Sequence, residues 1–372
     1  MRENGSMTPE YSFSHAPTAQ LLVDSYHGLV LPLFGDMGRN CSQPSSPQVP
    51  TKNSIVFLNN AADLDKVISS EATIVIVPVK NAEKIKADFS EKIKNKTFLQ
   101  SPNVKLAMAK INQKFFQHEF LAKIDDHAGV HAKAIVALSA KLGKNVSVGP
   151  GAVISENCVI GDNTRIGANT VVEPYTSIGN NCVIWPLVYI GHSCKIGHGV
   201  YIQSQTAIGS DGFGYATDDK NNHHKVPHYG AVVLEDDVHI GAGVNIDRGT
   251  FEPTIIRTGT KMDNHIHIAH NNDIGKNCLI TAGFISAGST TIGDNCVFAG
   301  RSSVNGHIDI GKNNIFGPLS VVVGDMPDNS GVFGGFPAVP INEFKRYSVV
   351  LRHLPKMRKQ ISEIFKHLGL KE

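Results

Sequence analysis

The chain has 372 residues, with 35 Lys and Arg against 33 Asp and Glu, a formal charge of +2. That near-balance excludes a global electrostatic pull onto nucleic acid, and the length allows one large domain with smaller flanking ones. Glycine is abundant at 35 residues and aromatics are scarce at 7%, a mixture suited to a repetitive β architecture with many tight corners.

The N-terminus, MRENGSMTPEYSFSHAP, lacks the apolar stretch of a secretory signal. The apolar run at 28–35 contains Pro32 and is too short to span a bilayer. A cytoplasmic location is therefore expected, with peripheral membrane contact left open. Residues 18–27 read as a short helix and 40–50 as a Ser/Pro/Gln-rich linker. An α/β pattern follows: a strand at 54–58, a helix at 62–68, a strand at 73–79 and a Lys-rich helix. A strand at 97–100 and a helix at 104–118 complete it. Together these predict a small N-terminal domain over residues 1–120.

From Leu142 an aliphatic residue returns every six positions as far as Ile208. The series resumes at Leu234, Ile240 and Ile246, slips by four residues, and runs from Ile256 to Val322 with Ser286 as its one polar member. Helices repeat at three and four and strands at two. A period of six suits a triangular coil with short strands as its sides and the anchors pointing inward, three hexads to a coil and about nine coils. Glycine often follows the anchor, as at Gly143, Gly149 and Gly161, and Asn or Asp often comes next. These read as corner residues. The position four after the anchor is small in most coils and holds five of the six cysteines, Cys158, Cys182, Cys194, Cys278 and Cys296. They are expected to fill the interior rather than form disulfides, and no C-x-x-C suggests a thiolate metal site. Ser286 marks either a polar interior spot or a small bulge. This coil domain spans 121–324.

The largest break in the repeat, 209–230, contains Gly212-Phe213-Gly214-Tyr215 and is a candidate active-site loop, or else a tolerated insertion. Its Gly-x-Gly lacks the strand–helix context of a nucleotide loop. Residues 325–372 hold a Gly/Pro-rich segment and a helical region at 342–368, which Pro355 is expected to kink or divide. Eight Lys or Arg fall between Lys345 and Lys371 against Glu343, Glu363 and Glu372. That face is either solvated or a landing surface for an acidic partner.

His270 stands two positions after Ile268, and His307 three after Val304. Two coils take 36 residues and the histidines are 37 apart, which predicts one side of the solenoid, two layers and roughly 10 Å apart. An imidazole can take a proton from an amine during acyl transfer, and a backbone N–H at a corner can hold the oxyanion. No G-x-S-x-G suggests a covalent nucleophile, so direct transfer is favoured over a covalent route; from the residues alone His270 reads either as its base or as a plain surface histidine. His265, His267 and His270, with His239 or His307, also raise a metal site, but the first three lie too close along one coil to show one.

The runs Ile246-Asp247-Arg248-Gly249, Asp263-Asn264, Ile268-Ala269-His270-Asn271, Ile274-Gly275 and Val304-Asn305-Gly306-His307, with the loop Gly212-Phe213-Gly214-Tyr215-Ala216, carry a resemblance. Over residues 53–350 the chain resembles the UDP-3-O-(3-hydroxyacyl)glucosamine N-acyltransferases of lipid A synthesis; residues 1–50 match poorly. The resemblance implies a mainly β fold: a left-handed parallel β-helix of hexapeptide repeats with a small N-terminal α/β uridine-binding domain and C-terminal helices. It implies a homotrimer that takes a 3-hydroxyacyl chain from the phosphopantetheine thioester of acyl-carrier protein. The acceptor is the 2-amine of UDP-3-O-acylglucosamine, and no cofactor is permanently bound.

By the same resemblance His270 is the general base and His307 its companion, while Phe57 stacks on uracil beside Asn60. Arg248 and Asn264 belong to the substrate groove. Val321 and Val323 stand where some members use methionines to limit acyl length, and Asp63 stands where a uridine-pocket tyrosine is common. The basic C-terminal helices would hold the carrier protein. From the residues alone, Phe57 reads as a buried strand position. An N-acyltransferase using acyl-coenzyme A and another amino sugar nucleotide, and a non-catalytic trimeric scaffold, are the competing readings.

Overall fold

The computed structural model describes residues 16–60, 62–116, 129–334 and 340–369. The chain divides into two compact units, 1–126 and 127–372. The predicted boundary at 120–121 lies outside the described residues.

The first unit is a five-stranded sheet of β1 (Leu31–Phe34), β2 (Gln43–Ser45), β3 (Ser54–Phe57), β4 (Ile74–Pro78) and β5 (Thr97–Ser101), in the order β1-β5-β4-β3-β2. Strands β2 to β5 run parallel and β1 antiparallel. The central β4, IVIVP, is buried along nearly its whole length, as a strand covered on both faces must be. Helices α1 (Ala19–Ser25), α2 (Leu64–Ser69), α3 (Val79–Phe89) and α4 (Val104–Phe115) complete the unit. Thr18 and Asn103 cap α1 and α4, accepting from the Leu21 and Leu106 backbone N–H groups at 3.1 and 3.0 Å. The expected linker at 40–50 is corrected here: Gln43–Ser45 pairs with β3 as an edge strand, and the apolar run at 28–35 supplies the opposite edge. Pro32 and Pro44 sit in those edges because a proline cannot donate to a second neighbour. Composition alone disguised the first of these strands as linker and left the second unassigned.

The second unit stacks two-residue strands into three parallel sheets of 10, 9 and 11 strands. This is the expected left-handed β-helix. Most strands pair with the one 18 residues on, as Val153 with Val171, and anchors such as Ile154, Ile166, Ile190 and Ile208 are fully buried. The stack begins before Leu142, with Gly129–Val130 and Ile135–Val136, and runs past 324, where Val332–Phe333 pairs with Ile315–Phe316. Ser286 keeps the register on both sides, so no bulge forms. Its hydroxyl is buried and donates to Asn272 Oδ1 at 2.6 Å.

Two details revise how the repeat works. Glycine after the anchor does not supply the unusual backbone angle. That falls on the third residue after the anchor, where Asn145, Asn163, Asn181, Asn277 and Asn295 all have φ between 54° and 59°. Asn tolerates this region better than most side chains. Gly161 instead makes room: a Cβ there would lie 2.4 Å from Asn180 Oδ1 and 2.6 Å from the Gly179 carbonyl carbon of the next coil. The small interior residues also bond as well as fill. Thr164 donates to Gly179 O at 2.7 Å and Thr260 to Gly275 O at 2.7 Å. Cys182 and Cys278 reach Gly197 O and Gly293 O at 3.1 and 3.3 Å from the same repeat position.

The C-terminal helix α5 (Ile341–His367) runs through Pro355 without being divided, although the proline removes one internal hydrogen bond. Its apolar residues Leu351, Leu354, Ile361 and Ile364 are exposed.

Candidate active site

Both departures from the six-residue period meet at one place. The long break leaves the stack after Ala207–Asp211 and forms a hairpin pairing Tyr215–Thr217 with His223–Lys225. It returns alongside the four-residue slip at 249–253: Tyr229 N–H donates to Thr250 O at 2.8 Å and Gly230 N–H to Gly249 O at 3.0 Å. The slip is held in turn by Asn271, whose Oδ1 accepts from Thr250 N–H at 3.0 Å and whose Nδ2 donates to Glu252 O at 3.1 Å. His270 is the next residue.

These contacts fix a proton. Thr250 N–H can only donate, so the Asn271 atom facing it is the amide oxygen. His270 Nδ1 lies 3.0 Å from that same oxygen and must donate to it. In the neutral imidazole Nε2 then carries the lone pair. Gly288 keeps the space beside the ring clear, since a Cβ there would stand 2.7 Å from His270 Cε1 and 2.8 Å from Nε2.

Asp247 lies beneath. It is buried, accepts from Ser210 Oγ at 3.0 Å and sits 3.8 Å from His267 Nε2. Burial pushes its carboxyl above the usual range, against the pull of His267 and the Ser210 bond. At the rim Asp211 pairs with Lys225 at 2.5 Å, and that bond holds the carboxyl below its usual range.

Strands His267–Ile268, Ile285–Ser286 and Ser303–Val304 are successive neighbours in one sheet. His270 O accepts from Ser289 N–H at 2.9 Å, and Gly288 O from His307 N–H at 3.1 Å. His270 and His307 thus stand on one side, two layers apart. On the outer face of this sheet His267, Ile285, Ser303 and Val321 form a column. Ile285, Val321 and Val323 are exposed there, the last two at 67% and 74%.

A model of the bacterial transferase hexapeptide family (six repeats) matches residues 139–174 and 175–210. The UDP-3-O-acylglucosamine N-acyltransferase of Syntrophotalea carbinolica is 50% identical over 319 residues, 84% of this chain and 91% of that protein. The chain belongs to the UDP-3-O-acylglucosamine N-acyltransferase family. Members from Desulfotalea psychrophila and Cupriavidus taiwanensis are 45% and 38% identical, each spanning 84% of this chain and 86% of the relative.

Other residues expected from the family pattern fall as follows. Arg248 does not line an open groove. Its side chain is 2% exposed, and its Nε donates to Gly209 O at 2.9 Å while Nη2 reaches His192 O at 3.2 Å. It clamps the base of the extruded loop. Asn264 is half-buried and accepts from Ala242 N–H at 2.7 Å, bracing a corner of the preceding coil. Phe57 is 5% exposed in the core of the first unit, which favours the strand reading of its side chain over an open stacking surface. Asn60 is exposed and caps Ala62 N–H at 3.0 Å. Asp63 is paired with Lys66 Nζ and Gln48 Nε2, both at 3.0 Å. Near the carboxyl ends of the parallel strands Asn59, Lys80 and Asn103 line a depression, the usual place for a ligand on such a sheet.

Among the described residues no three His, Cys, Asp or Glu side chains converge as a metal site. His228, Asn271 and Asp247 were not singled out by sequence as site residues. The four-residue slip was the available signal for Asn271; nothing marked His228.

Proposed function

We propose that this protein transfers a 3-hydroxyacyl chain from the thioester of an acyl-carrier protein to the 2-amine of UDP-3-O-acylglucosamine, with His270 as general base. The amine nitrogen attacks the thioester carbonyl, forming the C–N bond. His270 Nε2 takes the proton from nitrogen, the C–S bond breaks, and the leaving thiolate is protonated in its turn. The observation that carries this reading is the fixed Nδ1–H of His270, which leaves Nε2 as the acceptor atom. His307, stacked two layers on, supports the site. The exposed column ending at Val321 and Val323 takes the acyl chain, and smaller side chains there admit a longer one.

The working form is a homotrimer in the cytoplasm, acting on an acylated sugar nucleotide. No described helix is long and apolar enough to cross a membrane. The basic α5 receives the acidic carrier, and the first unit holds the uridine. The three domains are 1–120, 121–324 and 325–372, with the last coil borrowing Val332–Phe333. The test is mass spectrometry of products after offering UDP-3-O-acylglucosamine with carrier proteins loaded with different 3-hydroxyacyl chains. Product formation that His270→Ala abolishes supports the reading. Turnover with acyl-coenzyme A alone, or full activity of His270→Ala, overturns it.

A further inference from the structure

The extruded loop carries a second imidazole to the site. His228 is 6% exposed, and its ring centroid lies 5.4 Å from that of His270 with the planes 66° apart. Its Nδ1 is 3.0 Å from Val226 O. A carbonyl only accepts, so Nδ1 carries the proton and Nε2 is a bare acceptor. That Nε2 is buried and has no hydrogen-bond partner among the described residues. A buried acceptor left unmade is costly and calls for an explanation.

Its surroundings are built around it. A Cβ on Gly212 would stand 2.8 Å from His228 Nε2, 2.8 Å from His270 Cβ and 2.9 Å from His270 Cδ2. A Cβ on Gly214 would stand 2.7 Å from His228 Cε1. The Gly-x-Gly of the loop therefore has a steric purpose: both glycines give up their side chains to the His228 ring. The bond from Val226 N–H to Gly214 O at 2.9 Å closes the loop over it. Nε2 and the near edge of the His270 ring flank the same point above Gly212.

We infer that His228 is a positioning residue for the transfer: its bare Nε2 faces the His270 ring and stabilises the positive charge that His270 gains on taking the amine proton. This rests on the assignment of His270 as base. A fixed dipole aimed at developing charge in a dry site acts on the transition state more than on the bound ground state. Its loss should appear in kcat and not in KM. The group is an acceptor at the ε position, so glutamine can replace it. Asparagine, whose polar atoms reach only the δ position, can keep the bond to Val226 and nothing more.

The experiment compares His228→Gln, His228→Asn and His228→Leu in the full chain by steady-state kinetics with UDP-3-O-acylglucosamine and acyl-carrier protein. The expected result is kcat within about threefold of the parent for His228→Gln, and a drop of about tenfold or more for the other two with both KM values held. Equal losses in all three, or losses confined to KM, overturn the inference. If a variant fails to fold, imidazole 15N spectra of the parent decide: His228 protonated at Nδ1 alone is required, and an Nε2–H tautomer overturns it. His270→Ala in the same assay separates the two assignments. Full activity there removes the base and this inference with it. An inactive His270→Ala beside an unaffected His228→Leu removes the inference alone.

Discussion

Thr250 N–H donates to Asn271 Oδ1 over 3.0 Å, and this backbone bond, one residue from the proposed base, sets which nitrogen of His270 holds the proton. The four extra residues that break the repeat at 249–253 exist, structurally, to bring that donor into place. Asn271→Asp keeps an acceptor for both Thr250 N–H and His270 Nδ1, whereas Asn271→Ala keeps neither. We expect Asn271→Ala to lower kcat by about tenfold or more and Asn271→Asp to lose much less. Equal kcat values for the two variants would show that the tautomer is held by something else.

The glycines after the anchors predict a second asymmetry. Gly161→Ala puts a methyl 2.4 Å from Asn180 Oδ1 and against the next coil's backbone, a strain of about 1–3 kcal/mol. Asn163→Gly, at φ 57°, should be tolerated within a few tenths of a kcal/mol. Chemical denaturation of the two variants gives the comparison. A Gly161→Ala protein as stable as the parent would refute the close-approach account.

Cysteine and threonine at the interior position are predicted to be interchangeable as donors. Cys182→Thr should unfold within about 0.5 kcal/mol of the parent, because Thr164 makes the equivalent bond one coil earlier. Cys182→Val has nearly the same shape but leaves Gly197 O without its partner, and should cost about 1 kcal/mol. Valine proving as good as threonine would reduce these residues to filler.

Asp247 gives a pH signature. Its carboxyl is raised by burial in the folded protein, so the fold binds this proton more tightly than the unfolded chain does. The stability it contributes is present below the unfolded carboxyl range and is lost as pH rises through the folded value. Asp247→Asn removes that dependence and should therefore gain on the parent as pH rises. Thermal unfolding at about pH 4 and about pH 7.5 measures it. A difference in Tm between variant and parent that is the same at both values would sink the claim.

The solenoid was legible because its rhythm is geometric: Ile154, Ile190 and Ile268 recur at six whatever the coil does chemically. His270 and His307 could be placed two layers apart by counting alone. What failed was local. Pro44 looked like linker because an edge strand tolerates the residues that loops prefer. Gly143 and its counterparts looked like corners, although the need they meet lies in the neighbouring coil, 18 residues away in sequence. Arg248 was assigned to the groove by resemblance, and nothing in its local sequence named Gly209 O and His192 O as its partners. His228 was invisible for a similar reason. Its meaning depends on two glycines fourteen and sixteen residues upstream and on a ring in another coil.

The 18-residue spacing of neighbouring strands has one more consequence. Away from the loop and the slip, each turn sees only the turn above and the turn below, so the solenoid is divisible at whole turns. Excising one complete turn from the stretch between Val148 and Ile166 would leave every bond around His270 in place. It would shorten only the run of turns that precedes that histidine in the stack. The length of the solenoid on the N-terminal side of the site is thus adjustable in steps of one turn without disturbing the chemistry.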